Sequence, residues 1–156
     1  MAPQTILSSP PLSDWPIDQL PGLPEDVCSK MQHLGILSSL QLWQQSLSPI
    51  TAEQLAEKLQ MPTQQVLKWS AMADLAQVPG VGCIYAGVLL HVGVCSSVQL
   101  AKASADSLHQ QIMRLQVRTM SRDRKLSVGL VNQWIMKAQE TATAQRQVRR
   151  RVAARP

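Results

Sequence analysis

A 23-residue segment occurs twice in this chain, and the repeat constrains the fold more than any other feature of the sequence. LPGLPEDVCSKMQHLGILSSLQL begins at Leu20, and VPGVGCIYAGVLLHVGVCSSVQL begins at Val78. The two copies align without a gap at an offset of 58 residues, and eight positions are identical. Most of these identities are turn residues, at the Pro-Gly, Gly and Ser-Ser positions. The repeat therefore predicts one supersecondary unit that is used twice.

Each copy predicts short helices joined by glycine turns. Proline cannot continue a helix and glycine accepts a positive φ, so the Pro-Gly step ends the preceding helix. The next helix is expected to end at a C′ glycine, Gly35 in the first copy and Gly93 in the second. A serine N-cap then opens a further helix at the Ser-Ser step. In the second copy, residues at helical spacing are predicted to form the inward face: Ile84, Val88, Leu89 and Val92.

These units favour an all-α fold, in which two pseudo-repeated helix-hairpin-helix units pack as one compact domain. The composition agrees, because the chain has no Phe and its core must depend on Leu, Val, Ile, Ala and Met. Small and straight-chain side chains of this kind lose little rotamer freedom in helices. The predicted boundaries are an extended Pro/Ser-rich leader at residues 1–16, a first unit at 17–75, a second unit at 76–145, and a basic helical tail at 146–156.

A predicted helix pair connects the two copies. Thr51 and Gln54 have capping-box spacing, and Thr63 is expected to cap the next helix. Trp69 on that helix, and Trp134 on the matching helix of the second unit, are predicted to pack in the core. The pair also has the pattern of a helix-turn-helix motif, whose second helix would offer polar side chains to base edges: Thr63, Gln64, Gln65 and Lys68.

The segment from Val66 to Glu140 resembles the family catalogued as domain of unknown function 4332. The resemblance extends back to Leu20 through the repeat. It implies an all-helical helix-hairpin-helix fold, and the family carries no settled activity. The matching positions are Trp69, Ala73-Asp74-Leu75, Pro79 to Gly82, Gly93-Val94, Leu100-Ala101 and Trp134-Ile135.

Charge is distributed unevenly along the chain and predicts an anionic partner, with a solvated tail that aids solubility as the alternative. Residues 1–112 carry four Lys/Arg and eight Asp/Glu, whereas residues 113–156 carry eleven and two. The planar guanidinium group binds two phosphate oxygens at once, so arginine clusters favour DNA binding that does not depend on base sequence. The first candidate cluster consists of Arg114, Arg118, Arg122, Arg124 and Lys125. The second consists of Arg146, Arg149, Arg150, Arg151 and Arg155, of which the first three are expected to share a helix face.

The hairpin of the second copy is a further candidate for phosphate binding. Backbone N–H groups around Gly80 and Gly82 would face the phosphate at the start of a helix. No cationic residue follows Gly82 directly, which departs from the usual pattern of such a site. In the first copy, Pro24 replaces the second glycine and two acidic residues follow it, so that hairpin is expected to be structural.

A protein-interaction scaffold with degenerate hairpins is the alternative function. The basic tail would then bind an acidic protein partner instead of double-stranded DNA. Trp15 in the leader is a candidate partner anchor, with packing against its own domain as an equal alternative.

Enzymatic activity is not expected, because the sequence offers no carboxylate pair, nucleophile–base spacing, phosphate-binding loop or metal-ligand cluster. His33 and His91 precede the two C′ glycines and are expected to cap helix carbonyls. The three cysteines have no metal-site spacing and are predicted to be free thiols in a reducing compartment. No cofactor, metal or membrane partner is predicted, and the longest apolar run, from Cys83 to Cys95, is too short to span a bilayer. These features favour a soluble cytoplasmic protein.

Overall fold

A computed structural model describes residues 12–119 and 126–153, without the side chains of residues 116–119. Within these ranges the fold is all-α, as predicted, and an isolated bridge between Pro16 and Ser38 is the one pairing of extended backbone. A 3-10 helix spans Ile17–Gln19. The α-helices are α1 Glu25–His33, α2 Ser39–Gln45, α3 Pro49–Leu59, α4 Thr63–Ala76, α5 Gly82–His91, α6 Ser97–Ala101, α7 Ala105–Thr119 and α8 Val128–Ala153.

The predicted C′ glycines end α1 and α5 in the same way. Gly35 has a φ of +86° and Gly93 a φ of +93°, a left-handed conformation that glycine adopts without a Cβ penalty. The N–H after each glycine donates to a carbonyl five residues back, at 2.9 Å in both turns, as in a Schellman motif. The donor and acceptor pairs are Ile36 with Met31 and Val94 with Leu89.

The serines and glutamines shared by the two copies form matching caps on α2 and α6. Ser38 and Ser96 are the N-cap residues, and each accepts the backbone N–H of the glutamine three residues later, at 3.2 and 3.0 Å. The side chains of these glutamines, Gln41 and Gln99, accept the N–H of the residue before each serine. Two identical positions of the repeat, the first serine and the glutamine, therefore have the same hydrogen-bonding role in both copies.

Two caps predicted between the copies were wrong. The capping box of α3 pairs Ser48 with Thr51, rather than Thr51 with Gln54, because Pro49 at the first helical position starts the helix earlier. Thr63 does not cap α4, since the helix begins at Thr63 itself and Pro62 occupies the N-cap position without a side-chain bond.

The predicted inward face of α5 was also partly wrong. Ile84 is 56% exposed, and the buried residues are Cys83, Ala86 and Leu89. No charged residue lies between Leu75 and Ala101, so hydrophobic periodicity offered no contrast between the two sides of this helix.

α4 and α8 organise the packing. α4 contacts α2, α3 and α5, and α8 contacts α6 and α7. Trp69 on α4 and Trp134 on α8 are buried in one hydrophobic core, as predicted. α8 runs without a break through the predicted boundary between residues 145 and 146. No helix in the described ranges has the length and apolarity needed to cross a membrane.

Candidate nucleic-acid interface

Four arginines occupy the last two described turns of α8, and all four are exposed. We call Arg146, Arg149, Arg150 and Arg151 the arginine surface. Within the described residues, none of them lies within ion-pair distance of a carboxylate, and the one ion pair, at 3.9 Å, joins Lys137 to Glu140. The charges of the arginine surface are therefore not neutralised by the part of the fold that the structure describes.

A buried polar cluster holds this part of α8 against the body. Gln145 is 1% exposed, and its Nε2 donates to Oδ1 of Asp74 on α4 at 2.8 Å. Ser97, at the start of α6, also donates to Asp74 Oδ1, through its backbone N–H at 3.0 Å and its hydroxyl at 2.6 Å. Gln77 joins the cluster through its Oε1, 3.3 Å from Gln145 Nε2. The helix is thus anchored one residue before Arg146.

This anchoring sets the directions of the arginines. Successive helix residues are about 100° apart, so Arg146, Arg150 and Arg151 project from the half of α8 opposite Gln145. Arg149 follows Gln145 by four residues and lies on the inner side. Its guanidinium carbon is 5.6 Å from the ring centroid of the buried Trp43 on α2, within the range of a cation–π contact. α8 therefore contacts residues of both predicted units, Trp43 in the first and Ser97 in the second.

The structure does not place Arg114, the member of the first basic cluster whose side chain is described, beside the arginine surface. Gln139 on α8 donates to the carbonyl of Ala101, just before α7, and His109 on α7 lies 2.7 Å from the carbonyl of Leu126, just before α8. α7 therefore runs antiparallel to α8, and the exposed Arg114 lies beyond the first turn of α8.

Arg146 lies at the other end of α8, about 27 Å along the axis from its first residue. The remaining predicted residues of the first cluster, and the last of the second, lie outside the residues and side chains that the structure describes: Arg118, Arg122, Arg124, Lys125 and Arg155.

The second hairpin lies between two tryptophan rings. A Cβ on Gly80 would lie 3.6 Å from Cδ1 of Trp134, and a Cβ on Gly82 would lie 3.4 Å from Cζ2 of Trp15. Both glycines have positive φ, +91° and +65°. The backbone turn accounts for glycine at both positions, because a Cβ would meet each ring only at ordinary van der Waals distance. Phosphate binding by Gly80 and Gly82 stays a prediction.

Trp15 packs against its own domain, which is one of the two alternatives predicted for it. Its Nε1 donates to the carbonyl of Ala76 at 2.9 Å, and its backbone exchanges hydrogen bonds with Ser39. Ser13 donates to the carbonyl of Gln77 at 2.7 Å. These bonds fasten the leader across the start of α2 and the end of α4, while 37% of Trp15 stays exposed. Binding of a partner at that exposed part stays a prediction.

Sequence reasoning missed the cluster around Asp74. The sequence feature that pointed to this cluster was the second serine of the Ser-Ser step, which is repeated in both copies. In the structure this serine is buried in both copies and donates to an aspartate in each. In the first copy this partner is the exposed Asp14, and in the second it is the buried Asp74. Gln77 Nε2 and Gln145 Oε1 are buried without a hydrogen-bond partner, so this cluster also holds two unsatisfied polar atoms.

In the described ranges, no three His, Cys, Asp or Glu side chains meet in a group that could hold a metal ion. Burial raises the pKa of the Cys83 thiol to about 11, and burial together with Asp18 and Glu25 raises that of Cys28. Both thiols are therefore protonated at neutral pH, which makes them poor nucleophiles. His91 Nδ1 lies 3.3 Å from the carbonyl of Gly87, which is four residues back within α5 and is not one of the last carbonyls that His91 was predicted to cap. Capping by His33 stays a prediction.

A family model described as domain of unknown function (DUF4332) matches residues 21–141. The match covers both hairpins and ends five residues before the arginine surface begins. No curated protein and no solved structure matches the chain significantly.

Proposed function

The chain belongs to the DUF4332 family, and from that premise we propose that it is a non-enzymatic, tandem helix-hairpin-helix module that binds DNA independently of base sequence. The helical body positions the arginine surface, and the arginines bind phosphates. The observation that carries this function is the set of four exposed arginines without a described acidic partner, on a helix anchored by Gln145.

Contact with phosphates rather than bases follows from the packing of α8. Gln145 and Arg149 face the body, and Val148 is partly buried against the core. Reading base edges in the major groove requires a helix whose side is free to enter the groove. α8 offers only its outer half, so its guanidinium groups meet the sugar-phosphate backbone, which positions a protein without specifying sequence.

Binding through the arginine surface does not require the second hairpin. The start of α5 has no side-chain cap, so its first N–H groups fit a phosphate in principle. However, the ring of Trp15 lies against Gly82 at that point. We therefore assign DNA binding to the arginines, with Gly80 and Gly82 as a secondary contact.

Removing three outward charges tests this function. We expect the variant Arg146→Gln, Arg150→Gln, Arg151→Gln to bind a labelled 30-base-pair duplex more weakly in fluorescence anisotropy. Each lost phosphate contact reduces the steepness of the plot of log affinity against log salt concentration by about one, so the triple variant should reduce it by about three. Circular dichroism checks that the variant keeps its helical fold.

A second variant with the same net charge provides the control. It carries three Lys→Gln substitutions at exposed positions on α3, after α6 and in the first half of α8: Lys58, Lys102 and Lys137. We expect near-wild-type binding from this control. Equal weakening of both variants would show that only the overall charge matters, and no duplex binding at low salt would refute DNA binding.

An interaction scaffold for an acidic protein is the second candidate. It is favoured by the packing of Gly80 and Gly82 against tryptophans of the same chain, since hairpins used for packing have no need of a phosphate. The same arginines would then bind carboxylates. Pull-down from nuclease-treated extract distinguishes the two candidates, because a protein partner would be retained there by the wild type and lost with the triple arginine variant.

A further inference from the structure

We propose that the arginine surface binds duplex DNA in preference to single-stranded DNA. This inference rests on the proposed function and specifies its ligand. Proteins that bind single strands without sequence preference combine a basic groove with exposed aromatic rings on which bases stack. The structure provides neither of these beside the arginines of α8.

The aromatic rings are committed to packing within the chain. The chain has four Trp, one Tyr and no Phe, and all five rings lie in the described residues. Trp43, Trp69 and Trp134 are buried, and Tyr85 packs on Trp134 with the ring centroids 4.7 Å apart. Trp43 is the ring beside the arginines, but it is 2% exposed and Arg149 lies over it. A base therefore cannot stack there.

The shape of the surface also favours a duplex. Arg146, Arg150 and Arg151 project from the outer half of a helix, which is convex, so they cannot enclose a flexible strand. Arg146 and Arg150 are about 6 Å apart along the helix axis, since four residues rise that far. The helix is fixed by Gln145, so the backbone positions from which these side chains extend are set before binding. A rigid row of phosphates, as on a duplex carrying one charge per about 1.7 Å of axis, suits such a fixed set.

A surface depression between α3 and α4, away from the arginine surface, does not suit a single nucleic-acid strand. It is lined by Glu53 and Glu57 together with Gln60, Met61 and Thr63. The two carboxylates would repel phosphates. The depression thus gives single-stranded DNA no alternative groove.

Competition between two unlabelled DNAs tests the preference. Wild-type protein bound to a labelled 20-base-pair duplex is titrated with the same unlabelled duplex or with a 40-nucleotide oligo-dT, which has the same number of phosphates and no stable fold. We expect the duplex to compete about tenfold better, because the single strand gains no stacking here. We also expect a salt slope of about −0.9 per contact for the duplex, against about −0.7 for the strand.

The outcomes separate this inference from the proposed function. Equal or better competition by oligo-dT would overturn the duplex preference and leave phosphate binding by the arginines intact. Failure of both DNAs to bind at low salt would overturn both proposals. Trp15→Ala is the decisive variant, because Trp15 is the most exposed ring. We expect Trp15→Ala to leave duplex binding unchanged. If the wild type instead binds oligo-dT strongly and Trp15→Ala loses that binding, bases stack on Trp15 and the duplex preference is overturned.

Discussion

Replacement of Asp74 by alanine tests how the buried cluster stabilises the fold. Asp74 is 5% exposed and accepts the Ser97 N–H, the Ser97 hydroxyl and Gln145 Nε2. The Ser97 hydroxyl keeps the Asp74 carbonyl as a second acceptor, and Gln145 keeps two longer bonds, to Gln77 Oε1 at 3.3 Å and to the Ser97 hydroxyl at 3.4 Å. The two buried donors that lose their main acceptor are thus the Ser97 N–H and Gln145 Nε2. At about 1–3 kcal/mol for each unsatisfied donor, two donors give about 2–6 kcal/mol. Because Gln145 keeps its longer bonds, the expected loss of unfolding free energy lies in the lower part of that range, at about 2–4 kcal/mol.

Asp14 provides a matched control, because it binds the equivalent serine of the first copy. Its carboxylate accepts the N–H of Leu40 at 3.0 Å and the hydroxyl of Ser39 at 3.5 Å. Asp14 is exposed, so water replaces the carboxylate when it is removed. Asp14→Ala should therefore cost about 0.5–1 kcal/mol, as for loss of an exposed helix cap.

Urea unfolding followed by tryptophan fluorescence and circular dichroism measures both losses. In thermal melts, a loss of 3 kcal/mol from Asp74→Ala would lower Tm by about 6–12 °C in a chain of this size. Asp74→Asn keeps the side-chain volume and one acceptor oxygen, and should recover part of the loss. If Asp74→Ala and Asp14→Ala agree within about 0.5 kcal/mol, the cluster does not stabilise the protein in the way argued.

Three further predictions concern thiols, a turn and the leader. At pH 8 a thiol reagent should label the exposed Cys95 quickly and Cys83 slowly, because burial raises the pKa of the Cys83 thiol to about 11. The labelling rates are measured by absorbance with Cys95→Ser as the control, and equal rates would contradict the burial of Cys83. Gly93→Ala should lower the free energy of unfolding by about 1–2 kcal/mol in urea, because a side chain is strained at a φ of +93°; no atom lies within 4 Å of the new Cβ, so crowding adds nothing. An unchanged urea midpoint would mean that the turn adjusts its backbone. Trp15→Ala should cost about 2 kcal/mol in the same assay through lost ring packing and the lost bond to Ala76, and a free leader would show no change.

The sequence predicted the structure best where it depends on local chemistry. The glycine turns at Gly35 and Gly93, and the serine caps at Ser38 and Ser96, involve bonds within five residues of the chain. Backbone sterics and capping decide such features without tertiary contacts. The same rules misplaced the start of α3, because Pro49 and Ser48 together outweighed the capping pattern of Thr51.

The candidate site could be predicted only as a set of charges on a helix. The spacing of Arg146, Arg149 and Arg150 predicted one shared face of α8, whereas the structure places Arg146 and Arg150 on the outer half and Arg149 on the inner side, over Trp43. Their anchor could not be predicted, because Gln145 and Asp74 are 71 residues apart in sequence and glutamine is usually exposed. The contact of Arg149 with Trp43 is equally long-range. Such pairs depend on how the helices pack, which no local pattern contains.

α8 contacts residues of both predicted units, so the order in which the chain is synthesised affects when those contacts form. Asp74 leaves the ribosome long before Gln145, and at about 5–20 residues per second the interval lasts several seconds. During that time the carboxylate has no Gln145 to bind and Trp43 has no Arg149 above it. The early helices therefore complete their packing only when the C-terminal helix emerges, and a chain stalled before α8 would display its acidic and apolar surfaces to chaperones.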